Sequence, residues 1–283
     1  MVKVGIIGGS GIYNPSMFDN NLKPIKVDTP FGRPSDSLIS GEVDGIETVF
    51  LSRHGWGHKY SPSDINYRAN IYALKKQGVT HIISASAVGS LREDFKPLDV
   101  VIPDQAYDRT TKRASTFFDN GIVAHIGLAD PFCPGLSNIL YEVSASKYAT
   151  HKGGTYICME GPQFSTRAES NVYRKLGFDI IGMTALPEAR LAREAEMCLG
   201  IIATVTDYDV WYEESVSIAQ VIEYATKNEA AVQDIIRRSI TKIADAGDCP
   251  CRHALEGAIA TSPDAIDGDT RKKLGLLMDK YIK

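Results

Sequence analysis

The chain has 283 residues, of which 43% are apolar and 23% are charged, and its formal net charge is −4. This composition supports a substantial buried core and excludes an intrinsically disordered chain. The sequence has no long basic run and no stretch of about 20 apolar residues, which argues against nucleic acid and membrane as partners. No signal peptide is evident, so we expect a cytoplasmic protein.

Short apolar runs alternate with helical patterns along the chain. The runs predict strands at Val4–Ile7, Glu47–Leu51, His81–Ser84, Val100–Ile102, Thr155–Cys158 and Leu199–Val205. The other patterns predict helices at Asn66–Lys76, Thr166–Leu176, Pro187–Met197 and from Ser217 to about Ala246. This alternation indicates an α/β fold with a central mixed, mostly parallel β-sheet flanked by helices. We expect a single domain over residues 1–283, with a less distinctive extension from about residue 248.

The first predicted strand ends in a glycine-rich loop that includes Ser10. A dinucleotide-binding fingerprint requires a third glycine and an immediate helix. Asn14 stands at the third glycine's position and Pro15 follows it, so this segment does not match the fingerprint. Two interpretations remain: a tight turn without a ligand, or a loop that binds a small anion through backbone N–H groups and the Ser10 hydroxyl.

Other predicted strands are followed by groups that can hydrogen-bond to an anion. Arg53 and His54 follow the second predicted strand, Ser86 follows the third, and Thr184 precedes a predicted helix. Any one of these groups is explained by ordinary surface polarity. In parallel sheets, however, ligands bind at the carboxyl ends of the strands, and four such loops together favour a phosphate-type site.

Asp207 and Asp209 follow a strongly apolar predicted strand. On an extended chain, both side chains would point to the same side. Such a pair suits metal ligands, an acid/base pair or acceptors for an amino group, and a solvated loop is the simpler alternative. A raised pKa would let one of the carboxyl groups donate a proton.

Five cysteines are present, and two of them form the short segment Cys249-Pro-Cys251. This segment could be a strained disulfide, half of a metal site or a chance pair. No second closely spaced Cys or Cys/His pair completes a zinc pattern. From the residues alone we therefore expect free thiols and no metal site.

Ten segments together carry a resemblance to a known family. They are GIIGGSG, DTPFGRPSD, RHGWGH, NYRANIYALK, SAVGSLRED, VIPDQ, ADPFC, EGPQFSTRAES, IIGMTALPEARLAREA and TDYDVW, in this order from Gly5 to Trp211. With them the chain resembles the purine nucleoside phosphorylase superfamily, specifically its 5′-methylthioadenosine phosphorylases. The CPC segment resembles the Cys-x-Cys of thermophilic archaeal members.

The resemblance implies reversible phosphorolysis of 5′-methylthioadenosine to adenine and 5-methylthioribose 1-phosphate. Inorganic phosphate would be a co-substrate, and no cofactor or metal is expected. The implied phosphate site consists of Ser10, Arg53, His54, Ser86, the backbone of Ala87, and Thr184. The implied substrate site consists of Phe164, Ser165, Met183, Asp207, Asp209, Ile218, Val221 and Ile222, with His125 from a neighbouring subunit.

The resemblance also implies individual roles. Asp207 corresponds to the acid at purine N7, and Asp209 to its partner near the 6-amino group. His58 stands near the ribose or phosphate, or is structural, and Gly182 replaces an Asn that some relatives carry. The implied assembly is a homotrimer or a dimer of trimers. The implied disulfides are Cys133–Cys198 and Cys249–Cys251, with Cys158 free.

Three alternatives remain for the function. Superfamily members that act on 6-oxopurines carry Glu and Asn where this chain has Ser165 and Asp207, which favours adenine here. A phosphorylase with broad or 6-oxopurine specificity (inosine, guanosine, methylthioinosine) is the nearest alternative. A hydrolytic nucleosidase of the same fold would need no phosphate loop, and a non-enzymatic nucleotide-binding module would bind without turnover.

Overall fold

The computed structural model of the chain describes residues 2–9, 18–212 and 216–282. In these residues, eleven strands form one sheet and six α-helices flank it. The strands are β1 (Val4–Gly8), β2 (Asn20–Ile25), β3 (Leu38–Val43), β4 (Ile46–Ser52), β5 (His81–Ser90), β6 (Val100–Ile102), β7 (Gln105–Asp108), β8 (Thr150–Lys152), β9 (Thr155–Cys158), β10 (Ile180–Gly182) and β11 (Cys198–Asp207). The helices are α1 (Tyr67–Lys76), α2 (Pro134–Ala145), α3 (Arg167–Lys175), α4 (Ala185–Glu194), α5 (Ile218–Ala244) and α6 (Gly268–Met278).

The central strand of the sheet is β5. It pairs in parallel with β1 and with β11, and its last residues pair antiparallel with β10. Beyond β1 the order is β4, β3 and β2, beyond β10 it is β9 and β7, and β11 continues to β6 and β8. Six of these pairings are parallel and four are antiparallel. The predicted mixed, mostly parallel α/β sheet is therefore confirmed.

Both faces of the sheet are covered, which explains why its central strands are apolar along their whole length. Successive residues of a strand point to opposite faces. Ile7 and Ile82 accordingly belong to one apolar cluster, together with residues of α1 and α4. Ile6 and Ile83 belong to a second cluster, with residues of α2 and α5. All four isoleucines are fully buried.

All six predicted strands and all four predicted helices are present, although some of their ends differ. The largest difference is in β5, which continues past Ser84 to Ser90 because β11 keeps pairing with it as far as Gly89. Ser86 and Ala87 therefore lie within a strand and not in a loop after it. Helix α4 includes a non-helical Leu186 just before the predicted start at Pro187.

The sequence patterns missed β2, β3, β7, β8, β10, α2 and α6. Pro24 in β2 and Gly41 in β3 interrupt the strand pattern, and the structure tolerates the proline because β2 is an edge strand. Strands of three or four residues, such as β10, are too short to show a periodicity. None of the helices in the described residues combines the length and the apolar character needed to cross a membrane.

Candidate functional site

A cavity of about 260 Å³ opens where β4, β10 and β11 end and where β5 passes them. It brings together most of the residues that the sequence singles out: Arg53, His54, Ser86, Ala87, Phe164, Met183, Thr184, Asp207, Asp209, Ile218 and Val221. Ser10 lies outside the described residues. The position at the carboxyl ends of strands is the one expected for a ligand site in a sheet of this kind.

Arg53, directly after β4, is fully buried and held on all sides. Its Nε donates to Glu188 Oε1 at 2.6 Å, and its Nη2 donates to Glu188 Oε2 at 3.1 Å and to Ser84 Oγ at 2.7 Å. Its Nη1 donates to the carbonyl oxygen of Ala85 at 2.9 Å. A guanidinium has five N–H donors, and the contacts with the described residues leave one of them for a ligand. The forked contact that the sequence suggests for phosphate is made with Glu188 instead.

Glu188 completes this buried network from the first turn of α4. Its Oε2 also accepts a hydrogen bond from Ser84 Oγ at 2.7 Å, and its side chain is 1% exposed. Burial alone would lower the pKa of Arg53, but the charge and hydrogen bonds of Glu188 outweigh burial and raise that pKa. The guanidinium therefore stays charged and fixed. Losing either partner would leave an uncompensated charge in the interior.

Gly9 is required beside Arg53 for a steric reason. A Cβ atom at this position would lie 2.6 Å from Arg53 Nη1 and 2.6 Å from the carbonyl oxygen of Ala85. The backbone at Gly9 thus passes close to the guanidinium, and a residue with a side chain would not fit at this position.

His54 is held neutral in a defined tautomer. Its Nδ1 lies 2.9 Å from the carbonyl oxygen of Tyr60, which can only accept, so Nδ1 carries the proton and Nε2 is an acceptor. Burial, reinforced by the positive charge of Arg53, lowers the pKa of His54 to about 3. The ring stacks on His58 with centroids 4.1 Å apart.

Ser86 meets a buried tyrosine at the floor of the cavity. Its Oγ lies 3.2 Å from the hydroxyl of Tyr156 on β9, and burial raises the pKa of that tyrosine to about 12. The hydroxyl occupies space that Gly182 leaves open, because a Cβ there would lie 1.8 Å from it. In this chain, therefore, the Tyr156 hydroxyl fills the space that a side chain at position 182 would need.

Thr184 and its neighbours are positioned by a second buried arginine. Thr184 caps α4 without a side-chain capping hydrogen bond. Arg113 Nη1 donates to the carbonyl oxygens of Met183 and Leu186, at 2.6 and 2.7 Å. Its Nη2 donates to the carbonyl oxygen of Glu160 at 2.7 Å, and its side chain is 1% exposed. Arg113 thus ties the segment before α4 to the segment after β9.

Asp207 ends β11 in a buried position. Its Oδ2 accepts from Thr206 Oγ1 at 2.7 Å and its Oδ1 from the backbone N–H of Asp209 at 2.8 Å. Burial nevertheless raises the pKa of Asp207 to about 6. Gly89 on β5 makes room for this carboxyl group, because a Cβ there would lie 2.8 Å from Asp207 Oδ1. Such a carboxyl group can hold a proton near neutral pH.

Asp209 reaches the same cavity by a different backbone route from the one predicted. The chain is not extended here: Asp209 has φ +50° and begins a 3₁₀ turn. Burial raises its pKa, and the hydroxyls of Ser170 and Ser165 partly oppose that rise. In the described part of the chain, its Oδ2 has no hydrogen-bond partner. A buried acceptor without a partner costs about 1–3 kcal/mol, so this oxygen favours a ligand that donates to it.

Apolar side chains form the remaining wall of the cavity. Ile218 and Val221, from the first turn of α5, line it, and Ile218 remains 64% exposed. Ile218 is therefore not ordinary helix core. Met183 packs where Gly161 leaves room, since a Cβ at Gly161 would lie 2.5 Å from its sulfur. Phe164 lines the cavity and is 38% exposed.

Three predicted site residues do not line the cavity of the single chain. Ser165 is buried behind the cavity wall, with its Oγ 3.8 Å from the sulfur of Met159. Ile222 is 57% exposed on the outside of α5. His125 is exposed, and its backbone N–H donates to the carbonyl oxygen of Ala258. It is not among the residues that line the cavity.

The cysteines agree with the expectation of free thiols and differ from the disulfides that the resemblance implies. All five are free thiols, so the implied pairs Cys133–Cys198 and Cys249–Cys251 are not bonded. Cys133, Cys198, Cys249 and Cys251 instead meet in one cluster, and their sulfur atoms all lie within 4.8 Å of one another. The expectation of no metal site rested on the lack of a second close pair in the sequence. The fold supplies that pair from two distant segments.

Sequence reasoning missed Glu188, Arg113 and Tyr156 as parts of the site. Glu188 lies in the first turn of a helix, where a negative charge suits the positive helix end and points to no further role. Arg113 and Tyr156 lie in segments without a motif, and their partners are mainly backbone or distant side chains. Only three-dimensional proximity identifies them.

The chain matches the model of a family described as phosphorylase superfamily over residues 3–241. It is 52% identical to the S-methyl-5′-thioadenosine phosphorylase of Geobacter sulfurreducens, covering 99% of each chain. It is 50% identical to the S-methyl-5′-thioadenosine phosphorylase of Thermofilum pendens, covering 91% of this chain and 98% of that protein.

Solved structures show the same likeness. A methylthioadenosine phosphorylase from an antarctic soil metagenomic library superimposes with a TM-score of 0.93 and 45% identity, covering 98% of this chain and 99% of that chain. The methylthioadenosine phosphorylase from Schistosoma mansoni in complex with adenine gives a TM-score of 0.83 and 39% identity, covering 87% and 93%. These likenesses extend over nearly the whole fold.

Proposed function

Because this chain belongs to the phosphorylase superfamily, we propose that it catalyses the reversible phosphorolysis of 5′-methylthioadenosine. The products are adenine and 5-methylthioribose 1-phosphate. The activity of the similar proteins supports this proposal. The observation that carries the choice of substrate is the meeting in one cavity of a buried carboxyl group with a raised pKa, Asp207, and a buried acceptor without a partner among the described residues, Asp209.

Phosphate binds beside Arg53 in this proposal. Its oxygens accept hydrogen bonds from the Arg53 N–H that the described residues leave free, from the hydroxyls of Ser86 and Thr184, and from Ser10. The backbone N–H of Ala87 also donates to phosphate. The carbonyl oxygen of Ala85 faces Arg53. Because alternate residues of a strand direct their backbone polar groups to the same side, the N–H of Ala87 faces that side too. Neutral His54 accepts, at Nε2, a hydrogen bond from the P–OH group that phosphate carries at neutral pH. This arrangement fixes the nucleophile and its orientation.

The purine binds next to Asp207. This residue stands opposite Gly89 in the pairing of β11 with β5, three residues beyond Ser86, or about 10 Å along the strand. That distance leaves room for a ribose between phosphate and base. As phosphate attacks C1′, the bond to the purine breaks and Asp207 gives its proton to N7, so the base leaves without a full negative charge.

Base and 5′ specificity follow from the remaining walls. The Oδ2 of Asp209 accepts a hydrogen bond from a 6-amino group, whereas a 6-oxo group has no proton to give. Ile218 and Val221 offer apolar surface to a 5′-methylthio group, with Ile222 beside them, and Phe164 and Met183 pack on base and ribose. The Ser165 hydroxyl stabilises the charged form of Asp209.

We further propose that the active unit is a homotrimer or a dimer of trimers. His125 would then enter the cavity of a neighbouring subunit and cover the exposed side of Ile218. The free thiols are typical of a reducing compartment, which agrees with a cytoplasmic enzyme.

The test is the release of base from a panel of nucleosides with and without inorganic phosphate. We expect adenine release from 5′-methylthioadenosine only when phosphate is present, with inosine poorer by about 100-fold or more in kcat/KM. Undiminished release without phosphate would identify a hydrolase. Inosine turnover equal to or faster than that of 5′-methylthioadenosine would identify a 6-oxopurine phosphorylase.

The variant Asp209→Asn tests the acceptor role. We expect kcat/KM for 5′-methylthioadenosine to fall about 10- to 100-fold, because a neutral amide replaces the carboxylate and the charge-assisted hydrogen bond of about 1.5–3 kcal/mol is lost. The matched control is Asp264→Asn, at an exposed position remote from the cavity, which should leave the kinetics unchanged. Equal kinetics of Asp209→Asn and wild type would refute this assignment.

A further inference from the structure

Four cysteines from three parts of the fold meet on the far side of the molecule from the catalytic cavity. Cys133 caps the amino end of α2, and Cys198 is the first residue of β11. Cys249 and Cys251 lie in the connection that follows α5. The backbone N–H of Cys133 donates to the carbonyl oxygen of Leu199 at 2.8 Å, which brings the first two cysteines together.

The arrangement of the sulfur atoms fits a tetrahedral metal site. All four lie within 4.8 Å of one another, and the Cys133 and Cys249 sulfurs are 3.5 Å apart. Zn–S bonds of about 2.3 Å place the sulfurs of a tetrathiolate site about 3.8 Å apart. A disulfide needs sulfurs about 2.05 Å apart, and all four cysteines are free thiols. We propose that these four cysteines bind one Zn²⁺ ion.

The surroundings of the cluster suit a bound thiolate group. The backbone N–H of Leu136 donates to Cys133 Sγ at 3.5 Å, at the amino end of a helix, where negative charge is favoured. When Zn²⁺ binds, the four thiols release four protons to water, and the site carries a net charge of −2. A second cavity, lined by all four cysteines, is also lined by Arg193, which provides opposite charge.

The site is structural. Four protein ligands fill a tetrahedral coordination sphere and leave no position for substrate, unlike catalytic zinc sites, which keep one open. The ion would bind three segments to one another: the start of α2, the start of β11 and the connection that leads into the last part of the chain. Its contribution is to the stability of that junction, since metal binding is coupled to folding.

The first test is the zinc content of the wild-type protein, expressed with Zn²⁺ in the medium and purified without chelators. Elemental analysis should give about one zinc per chain. After denaturation with chelator and without reductant, all five cysteines should react with a thiol reagent. The Co²⁺-substituted protein should show the absorption bands of tetrahedral cobalt bound to thiolates. Two findings would overturn the proposal: five reactive thiols with no bound metal, or only one reactive thiol, which would indicate two disulfides.

The second test compares two variants. Cys249→Ser changes the least buried of the four cysteines and should lower the zinc content about tenfold or more, with a fall in Tm. Cys158→Ala changes the fifth cysteine, which is buried outside the cluster, and should keep about one zinc per chain. Equal zinc content in both variants would overturn the assignment. The wild-type measurements need no variant, so they decide the question even where a variant does not fold.

Discussion

Asp207 is a carboxyl group whose surroundings make it harder to ionise. Burial raises its pKa to about 6, despite hydrogen bonds from Thr206 and from the backbone of Asp209 that favour the charged form. A bound purine would exclude water further and raise this pKa again. In the proposed mechanism, this shift in pKa lets Asp207 hold a proton in the complex and give it to the leaving base.

The variant Asp207→Asn should lose most of its activity on 5′-methylthioadenosine, about 100-fold or more in kcat, because the leaving base is no longer protonated. In the wild type, kcat should fall as pH rises through the pKa of Asp207 in the complex. The variant should lack this limb of the profile. An unchanged pH profile in the variant would exclude Asp207 as the proton donor.

The same substitution makes a prediction for stability. Because the folded pKa is raised above the ordinary value of 3.8, the contribution of this group to stability is complete below that pH and is lost as pH rises through about 6. Asp207→Asn should therefore gain stability relative to wild type between pH 4 and 7, by at most about 3 kcal/mol. Urea denaturation at several pH values measures this difference, and a pH-independent difference would contradict it.

Residue identities at the site could be predicted, but their contacts could not. The loops after strands pointed to Arg53, His54 and Asp207, because their chemistry is recognisable from residue type and position. The sequence could not show that the Arg53 fork is occupied by Glu188, since the two residues are distant in the chain. Ser10 was singled out on the same grounds and stays a prediction.

At the scale of elements, the short strand β10 places its last residue against Tyr156 of the neighbouring strand β9. Gly182 has no side chain, and the tyrosine hydroxyl uses the space to reach Ser86. This contact connects the end of β10, which leads into Met183 and Thr184, to Ser86 in the proposed phosphate site.

Gly182→Ala should disturb this contact. The new Cβ would lie 1.8 Å from the tyrosine hydroxyl, so β9 or β10 must shift. We expect a stability loss of about 1–3 kcal/mol, typical of overpacking, and a higher KM for phosphate. The control is Gly268→Ala at the start of α6, where a Cβ meets nothing within 4 Å and stability should not fall. Wild-type stability and KM in Gly182→Ala would show that the contact is not needed.

The elements that the sequence predicted well are those with strong local signals. Helix α3 has a complete capping box at Thr166 and Glu169. Ser217 caps the amino end of α5, and its hydroxyl accepts a hydrogen bond from the backbone N–H of Gln220. The extension of β5 to Ser90 was missed because pairing with β11, and not local sequence, keeps it in the strand. Long-range pairing outweighs weak local preference there.

At the scale of the whole molecule, the open side of the cavity predicts that subunits share their sites. Ile218 is 64% exposed, and His125 lies outside the cavity of its own chain. In light scattering, the protein should have the mass of three or six chains of 30.9 kDa. A fully active monomer would contradict a shared site.

Mixed oligomers test the sharing directly. His125→Ala and Asp207→Asn should each lower activity, and oligomers that contain both kinds of chain should exceed the sum of the two separate variants. The gain arises because some cavities then join an intact Asp207 to an intact His125 of the neighbour. Additive activities in the mixture would place the two residues in the same chain's site.

The alternation of strands and helices sufficed to predict the α/β class, because the covered sheet produces apolar strands. The four-cysteine cluster could not be predicted in this way. Only Cys249 and Cys251 are neighbours in the sequence, whereas Cys133 and Cys198 join them through the packing of α2 against β11.

The strand β11 has a consequence for how such a protein can diverge. Cys198 and Asp207 are its first and last residues, about 30 Å apart along ten residues. The carboxyl end of β11 contributes to the proposed reaction, whereas its amino end contributes only to the stability of the fold. A lineage can therefore gain, lose or exchange the thiols as its environment changes and keep the same chemistry throughout.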